Sequence, residues 1–527
     1  MAAPFKLVRI PTLKTVTEFR AHLVSLGLEL PCEDEIVRGA SSPLAAPVAR
    51  TKVNGKIIGN RVAIQPMEGW DGTLTGGITD EVRRRWQRFG ESGAKLICGG
   101  EAMAVRPDGR ANPHQLIINE ANKAGLAELR ATLAQAHQER YGTVEDLVIG
   151  FQLTHSGRFC KPNDNTRLEP RVAYRHPILD RKFQVHSDEQ VWSDGEIDHL
   201  IEGYIAAARI AWEAGADFVD IKHCHGYLLH EFLSAFTRPG KYGGSFENRT
   251  RILREIVSGI RADGNPIELG VRLSAFDFVP FKPDPALSRP GQLGPGIPED
   301  FSQCLPYQFA FGVKASQPTE YDLAETFRFV DLCADLGIKI LNLSAGSPYY
   351  NPHIQRPAAY PPSDGYQPPE DPLAGVARQI KVVRELKAHA TGKTASPLKE
   401  SAALAERASS LAEVGREAMT PRTDGMILVG SAYSYLQEYL PHVAQGVVRQ
   451  GWADMIGIGR MVLSYPTIFA DAVERGALVT KAICRTFSDC TTAPRNGLIS
   501  GCYPLDKHYT TKPEFSALKE IKKAAGA

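Results

Sequence analysis

FVDIKHCHGY, residues 218–227, is the stretch of sequence that decides the fold. Its first residues, 218–221, are apolar apart from Asp220 and predict a buried β-strand, and polar side chains follow directly. Before it lies a long amphipathic helix that Ser193 opens, with Glu196 at the spacing of a capping box. Another helical pattern follows at residues 248–262. This order of helix, buried strand, polar loop and helix is typical of a parallel sheet.

The same unit recurs along most of the chain. Continuous apolar strands that alternate with helices indicate a parallel sheet, and eight units favour a closed (β/α)8 barrel over an open sheet. We therefore predict an α/β protein with the TIM-barrel fold. The predicted strands are residues 61–67, 95–98, 147–153, 218–221, 267–273, 339–343, 424–430 and 454–459. The predicted helices are residues 79–91, with Thr79 as N-cap, 120–139, the helix that Ser193 opens, 248–262, 320–336, 371–389 and 435–450.

Several segments do not fit the repeat. Two are rich in proline and glycine and predict long loops, and a third carries an Ala/Glu/Leu helical pattern where a short connection is expected. Long insertions of this kind are usually lids or interface elements. The predicted organisation is an N-terminal extension at 1–60, a barrel at 61–480 with insertions near 276–317, 346–369 and 391–422, and a C-terminal extension at 481–527 packed on the barrel.

The composition excludes several classes of protein. The chain has 527 residues, of which 43% are hydrophobic, and its formal net charge of +1 gives no general reason to expect nucleic-acid binding. No run of about 20 apolar residues predicts a membrane span, and residues 1–14 lack the apolar core of a secretory signal. Nine cysteines are too sparse for a disulfide scaffold. We expect a cytoplasmic enzyme that acts on small molecules; a homo-oligomer is left open.

The residues that follow the predicted strands form a chemically coherent set. In a barrel of this type the reacting groups lie where strands end and loops begin. Glycines after the seventh and eighth strands let backbone N–H groups approach a phosphate, and a nearby arginine adds positive charge. This predicted phosphate site comprises Gly430, Ser431, Gly459 and Arg460.

The middle strands carry groups suited to a flat ring and a carbonyl compound. Gln152 and Arg272 can hydrogen-bond the polar edge of a ring, and Arg272 can stabilise negative charge on the ring after reduction. Lys222 and His225 can donate to a carbonyl oxygen, and Tyr227 can supply a proton. The alternatives are a core role for His225 and a barrel-mouth ion pair of Lys222 with Asp220 or Glu101.

Residues 61–466 resemble the old yellow enzyme family of FMN-dependent oxidoreductases. The most specific part of the resemblance is HGYLLHEFLS at residues 225–234 followed by YGGSFENR at residues 242–249. Further matching stretches are RVAIQPM at 61–67, FQLTHSGR at 151–158, GVRLSA at 270–275 and GIGRMVLSYP at 457–466.

The resemblance implies a TIM barrel that holds FMN at the carboxyl ends of its strands, with NADPH or NADH as co-substrate. It implies a ping-pong cycle in which the reduced flavin passes hydride to an activated alkene. Carried over by position, the residues beside the flavin are Pro66, Met67, Glu68, Ala102 and Gln152, with Arg272 near N1 and O2 and the phosphate on Gly430, Ser431, Gly459 and Arg460. The carbonyl-binding pair is then Lys222 with His225, and the proton donor is Tyr227.

Two positions depart from the pattern of that family. Lys222 stands where His or Tyr is common, and Glu68 stands where small polar residues or Cys usually approach the flavin. These departures keep three alternatives open. The first is an FMN enzyme that oxidises or demethylates amines or C–N bonds. The second is a Schiff-base lyase that uses Lys222, and the third is a flavin-binding protein without turnover.

Three cysteines near the C-terminus, Cys484, Cys490 and Cys502, resemble part of the cluster-binding run in iron–sulfur relatives. A four-thiolate cluster needs four ligands, so we predict no cluster and no metal. His508 leaves a Cys₃His zinc site as a minor alternative.

Overall fold

The computed structural model describes residues 7–392 and 425–526. Its central feature is a closed barrel of parallel strands, in which the first strand pairs with the last and the second pairs with the third. The predicted barrel is therefore confirmed. Its strands are β1 (Val62–Ile64), β2 (Leu96–Ile97), β3 (Val148–Thr154), β4 (Phe218–His223), β5 (Glu268–Ser274), β6 (Ile340–Ser344), β7 (Ile427–Gly430) and β8 (Met455–Ile458).

One helix follows each barrel strand and packs on its outer side. Their starts agree with the sequence signals: the Thr79 side chain accepts a hydrogen bond from the Val82 N–H, and Ser193 and Glu196 form the predicted capping box. The helices are α1 (Asp80–Glu91), α2 (Lys123–Tyr141), α3 (Asp194–Glu213), α4 (Arg251–Ala262), α5 (Ala324–Asp335), α6 (Pro372–Ala390), α7 (Leu440–Arg449) and α8 (Ile468–Arg475). Within the described part of the chain, no helix combines the length and the apolar character that a membrane span needs.

The remaining α-helices of the described residues lie in the loops and toward the two ends of the chain. They are Val16–Ser25, Leu179–Lys182, Leu228–Leu233, Phe246–Arg249, Pro352–Gln355, Arg460–Ser464, Asp489–Arg495, Lys507–Thr510 and Glu514–Ala525.

Two insertions contain more structure than the sequence predicted. The segment 276–317, predicted to be a loop, holds an antiparallel hairpin of Phe281–Pro283 with Gly296–Pro298. Each strand has three residues, too few to show an alternating pattern. The segment 346–369 holds the short helix Pro352–Gln355. The insertion predicted at 391–422 lies, from residue 393 onward, outside the described residues.

An N-terminal hairpin, Val48–Val53 with Lys56–Ile58, closes one end of the barrel. Its turn residues Asn54 and Gly55 both have positive φ, as the tight turns that match strand twist require. Its apolar side chains join the core inside the barrel. That inner core consists of Val48, Val53, Ile58, Ala63, Leu96, Cys98, Val148, Phe218, Ile340, Ile427, Val429 and Met455.

Phe218 on β4 fills space that two glycines leave open. Gly150 on β3 pairs with Phe218, and a Cβ at Gly150 would lie 2.4 Å from the ring Cζ. A Cβ at Gly270 on β5 would lie 3.1 Å from the same ring. Close packing of the inner core therefore depends on glycine at both positions.

We expect Gly150→Ala to lower the free energy of unfolding by about 1–3 kcal/mol, because the added methyl group overpacks the inner core. Urea unfolding followed by circular dichroism measures the change. The matched control is Gly195→Ala in the first turn of α3, where a Cβ meets nothing within 4 Å. An equal unfolding midpoint for the two variants would contradict the packing argument.

Candidate functional site

A cavity of about 210 Å³ opens where the carboxyl ends of the barrel strands converge. Ala102 and Gly430 are not among the residues that line it. Ala102 lies on the short strand Ala102–Ala104 beside β3, and the Gly430 carbonyl accepts a hydrogen bond from Gln65 Nε2 at 3.3 Å. The predicted site residues that do line the cavity are Pro66, Met67, Glu68, Gln152, Lys222, His225, Tyr227, Arg272, Ser431, Gly459 and Arg460.

Lys222 forms an ion pair, but with neither of the partners considered above. Its Nζ lies 2.5 Å from Glu68 Oε1, and the other carboxylate oxygen of Glu68 accepts a hydrogen bond from the Tyr227 hydroxyl. The Lys222 ammonium also lies 3.4 Å from the centroid of the Tyr227 ring. Of the two expected partners, Asp220 binds Gln152 instead and Glu101 binds Arg85.

The Tyr227 hydroxyl has a second partner, Tyr349, which also lines the cavity. Its oxygen lies 2.7 Å from the Tyr349 hydroxyl, and the Tyr349 ring stacks on Phe159 with centroids 3.9 Å apart. The Arg495 guanidinium lies over the Tyr349 ring, 4.9 Å from its centroid. Burial, followed by the charge of Glu68, raises the pKa of Tyr227 well above its ordinary value.

His225 presents an uncharged imidazole to the cavity. Its backbone has a φ of +67°, a conformation that is uncommon outside glycine, and its N–H donates to Ser274 Oγ at 2.9 Å. The ring Nε2 lies 3.0 Å from Ser344 Oγ and 3.3 Å from Gln355 Nε2. Burial, with the nearby cations Arg272 and Lys222, lowers the pKa of His225 well below its ordinary value.

Gln152 and Arg272 form a polar edge in the middle of the barrel mouth. Gln152 Nε2 donates to Asp220 Oδ2 at 2.8 Å, which leaves the Gln152 oxygen as the acceptor that can face a ligand. Arg272 Nη1 donates to the Pro66 carbonyl at 3.1 Å, while its Nε is buried without a partner among the described residues. Burial raises the pKa of Asp220 to about 6.

A guanidinium site, defined here as Arg356 with Arg460, forms another part of the wall. Arg356 donates to Thr491 Oγ1 and Arg460 Nη2 donates to the Pro357 carbonyl at 3.2 Å. Arg356 Nε and Nη2 and Arg460 Nη1 are buried with no hydrogen-bond partner in residues 7–392 and 425–526. Burial and the neighbouring charges of Arg460 and Arg495 lower the pKa of Arg356 to about 9. Buried guanidinium groups with unpaired N–H donors are stabilised by a bound anion.

Sequence reasoning missed Arg356 and the contribution of the C-terminal segment. Arg356 follows the short helix of the 346–369 loop, where no strand end marks it. Residues Cys490, Thr491, Pro494, Arg495 and Ser500 also line the cavity.

Buried Arg85 holds the C-terminal segment against the barrel. It pairs with Asp71 and Glu101 and donates to the Ser500 carbonyl at 3.2 Å, while the Ser500 N–H donates to Asp71 Oδ1 at 2.8 Å. Removing one partner from such a buried ionic network leaves an uncompensated charge. The part of the wall that the segment supplies therefore depends on this network.

The three C-terminal cysteines are unbridged thiols in the structure. Cys490 lines the cavity, whereas Cys484 and Cys502 are buried. His508 binds the carboxylate of Glu81, with Nε2 to oxygen distances of 3.1 Å. Among the described residues, no three His, Cys, Asp or Glu side chains are grouped so that they could hold a metal ion.

Comparison with known proteins shows which family part of the chain resembles. Residues 49–285 match the model of the NADH:flavin oxidoreductase / NADH oxidase family. These residues, less than half of the chain, are similar to that family. The NADPH dehydrogenase of Geobacillus sp. (strain WCH70) is 31% identical over 240 residues, which are 43% of this chain and 63% of the relative. The chain thus spans less than two thirds of the length of that curated relative.

Solved structures give the same fold. The 2-naphthoyl-CoA reductase in complex with 2-naphthoyl-CoA has a TM-score of 0.57 at 17% identity. The match covers 90% of this chain and 58% of the reductase chain. The old yellow enzyme homologue from Zymomonas mobilis has a TM-score of 0.50 at 19% identity, with coverages of 83% and 94%. At these identities the likeness concerns the fold alone.

The family region and the cavity overlap in part. Residues 49–285 contain the group around Glu68, Lys222 and Tyr227 and the polar edge formed by Gln152 and Arg272. The guanidinium site and the C-terminal segment lie outside that region. Part of the cavity wall is therefore built by residues that follow the matched region in the sequence.

The raised pKa of Asp220 predicts a pH-dependent stability. Because the folded state holds this proton up to about pH 6 and an unfolded Asp releases it near its ordinary value, the Asp220 contribution to stability falls as pH rises between them. We expect the stability of Asp220→Asn relative to the wild type to rise by about 1–3 kcal/mol from about pH 4 to about pH 7.

Urea unfolding at several pH values measures this difference. The control is Asp335→Asn, which replaces an exposed carboxylate at the end of α5 and is expected to give no comparable pH-dependent difference. A pH-independent difference between Asp220→Asn and the wild type would show that Asp220 is ionised normally in the folded state.

Proposed function

We propose that this chain is an FMN-dependent oxidoreductase that takes hydride from NADPH or NADH and reduces an activated alkene in a ping-pong cycle. The observation that carries the proposal is one cavity that unites an anion site, a polar ring edge and a carbonyl-binding pair beside a phenol. The similarity of residues 49–285 to the NADH:flavin oxidoreductase / NADH oxidase family supports the flavin, and the NADPH dehydrogenase relatives support the nicotinamide co-substrate.

The residues present fit FMN. A phosphate accepts hydrogen bonds and carries negative charge, which is what the unpartnered N–H groups of the guanidinium site require. The Gln152 oxygen and the free Nε of Arg272 match the donor and acceptor edge of a flavin pyrimidine ring. When bound, FMN supplies a two-electron carrier between the nicotinamide and the substrate.

The chain's own groups then perform four tasks. The guanidinium site holds the phosphate, and Gln152 and Arg272 orient the ring and stabilise negative charge on it. His225 is neutral and can donate from its ring to a carbonyl oxygen, and Lys222 retains N–H donors beyond the one that binds Glu68. Tyr227 holds the proton that an enolate carbon needs.

The Schiff-base lyase is disfavoured by the contacts of Lys222. Carbinolamine formation needs the free electron pair of a neutral amine. The Lys222 nitrogen is instead ion-paired with Glu68 and faces the Tyr227 ring as a cation. The oxidation of amines or C–N bonds needs the same fold and cofactor, and no contact in the cavity favours it specifically.

The guanidinium site predicts a difference between two flavins. We expect Arg356→Gln to weaken FMN binding about 10- to 100-fold, because a charged hydrogen bond to phosphate is worth about 1.5–3 kcal/mol. Riboflavin, which lacks the phosphate, is expected to bind the variant and the wild type equally. Fluorescence titration of the apoprotein with each flavin measures both constants.

A matched control for this titration is Arg378→Gln. Arg378 pairs with Glu370 and does not line the cavity, so this variant is expected to keep the wild-type ratio of FMN to riboflavin affinity. If Arg356→Gln weakened both flavins equally, Arg356 would serve the fold of the loop and not the phosphate.

The proton-donor role of Tyr227 predicts a kinetic separation. We expect Tyr227→Phe to slow reoxidation of the reduced flavin by cyclohexenone about 10²- to 10⁴-fold, while reduction by NADPH changes little. Anaerobic stopped-flow absorbance of the flavin measures the two half-reactions separately. A variant slowed in reduction by NADPH and unchanged in reoxidation by the enone would refute this role.

A further inference from the structure

Glu68 is a carboxylate that the proposed function does not yet use. It follows β1 and lies on the cavity wall, where Oε1 accepts from Lys222 at 2.5 Å and Oε2 accepts from the Tyr227 hydroxyl. Its two oxygens thus contact both the cation of the carbonyl-binding pair and the predicted proton donor. The charge of Glu68 therefore acts directly on the Tyr227 hydroxyl.

An ionised Glu68 makes Tyr227 a poor acid. If Tyr227 released its proton while Glu68 was charged, a phenolate and a carboxylate would be in contact in a buried site. Lys222, which touches both groups, balances one of the two negative charges. The remaining groups that face Tyr227 are Tyr349, whose hydroxyl lies 2.7 Å away, and Arg495, which lies over the Tyr349 ring.

Glu68 also has the better access to water. The Tyr227 residue is 1% exposed, whereas the side chain of Glu68 is 15% exposed. A proton that leaves Tyr227 therefore has to be replaced through a neighbouring group. Within residues 7–392 and 425–526, the groups in hydrogen-bond contact with the Tyr227 hydroxyl are Glu68 and Tyr349.

We propose that Glu68 supplies the proton that replaces the one Tyr227 gives to a substrate carbon, an inference that rests on the proposed function. The electron pair of an enolate carbon forms the new C–H bond as the Tyr227 O–H bond breaks. The O–H bond of a neutral Glu68 breaks in turn, and its proton goes to the Tyr227 oxygen. Tyr227 ends neutral, Glu68 ends as a carboxylate paired with Lys222, and water then returns a proton to Glu68.

The carboxylate that pairs with Lys222 is the resting form of Glu68, so this sequence requires Glu68 to take up a proton from water before the alkene reacts. The rate constant for reoxidation by an enone is therefore expected to fall about tenfold per pH unit once Glu68 is mostly ionised. Reduction by NADPH needs no proton from Tyr227 and is expected to lack this dependence. The pH profile of one half-reaction thus identifies the group that supplies the proton.

The first test is anaerobic stopped-flow kinetics of the holoenzyme from about pH 4 to about pH 9. Glu68→Gln is expected to remove the fall of the cyclohexenone rate constant with pH and to slow that step at least tenfold at the acid end. Glu68→Asp, which keeps a carboxyl group, is expected to retain the fall. Tyr349→Phe is expected to retain it as well, because it leaves the Glu68–Tyr227 contact in place.

The outcomes separate this proposal from the proposed function. A Glu68→Gln enzyme that keeps the wild-type fall with pH overturns the proposal, and so does a Tyr349→Phe enzyme that loses it. If NADPH does not reduce the flavin of the wild-type enzyme, or if cyclohexenone does not reoxidise it, the proposed function is wrong instead.

A second measurement needs no flavin and tests the contact directly. Tyrosinate absorbance during an alkaline titration, taken as the difference between the wild type and Tyr227→Phe, reports the ionisation of Tyr227. The same titration is taken for Glu68→Gln, as its difference from the double variant Glu68→Gln/Tyr227→Phe. We expect Tyr227 to ionise about one pH unit or more lower in Glu68→Gln than in the wild type, because the neighbouring carboxylate is gone. An unmoved titration overturns the proposal even if alkenes are not substrates.

Discussion

Burial of charge at the carboxyl ends of the strands is the constraint on which the site depends. Closing the barrel brings all eight strand ends to one rim, so side chains far apart in sequence share a single desolvated cavity. A buried charge is tolerated when it is paired, and most charges at this rim are. Glu68 pairs with Lys222, Arg85 with Asp71 and Glu101, and Arg495 with Asp364. The guanidinium N–H groups of Arg356, Arg460 and Arg272 that have no partner in the described part of the chain therefore mark where ligand atoms would stabilise the structure.

The barrel could be predicted because its signals are local and repeated. Apolar runs and capping residues such as Thr79 and Ser193 report strand and helix positions without reference to the rest of the chain. The N-terminal hairpin was missed although Asn54-Gly55 is the dipeptide most typical of a tight hairpin turn. The strands that flank this dipeptide alternate poorly: Val48–Val53 has two exposed residues in succession, and Lys56–Ile58 has three residues.

The candidate site was predicted unevenly for a physical reason. Residues at strand ends could be assigned because a parallel barrel fixes where those ends meet, and Lys222, His225, Tyr227 and Arg272 all line the cavity. Arg356 could not be assigned, because its place depends on how a long loop folds over the barrel. The ion-pair partner of Lys222 could not be predicted either. The pair joins residues 154 positions apart, and no spacing rule selects Glu68 over Asp220.

The two departures from the family pattern, Glu68 and Lys222, are best understood as one coupled change. Glu68 alone would place an unpaired carboxylate in a cavity wall beside a phenol, and Lys222 alone would add another cation to a wall that holds Arg272, Arg356 and Arg460. Removing one partner of a buried ion pair typically costs about 3–5 kcal/mol, because the other charge is left uncompensated. The pair adds no net charge, so the positive potential that suits an anionic cofactor is preserved. The pair also places a carboxylate against the Tyr227 hydroxyl, where the charge of Glu68 acts on the proton that Tyr227 is proposed to donate.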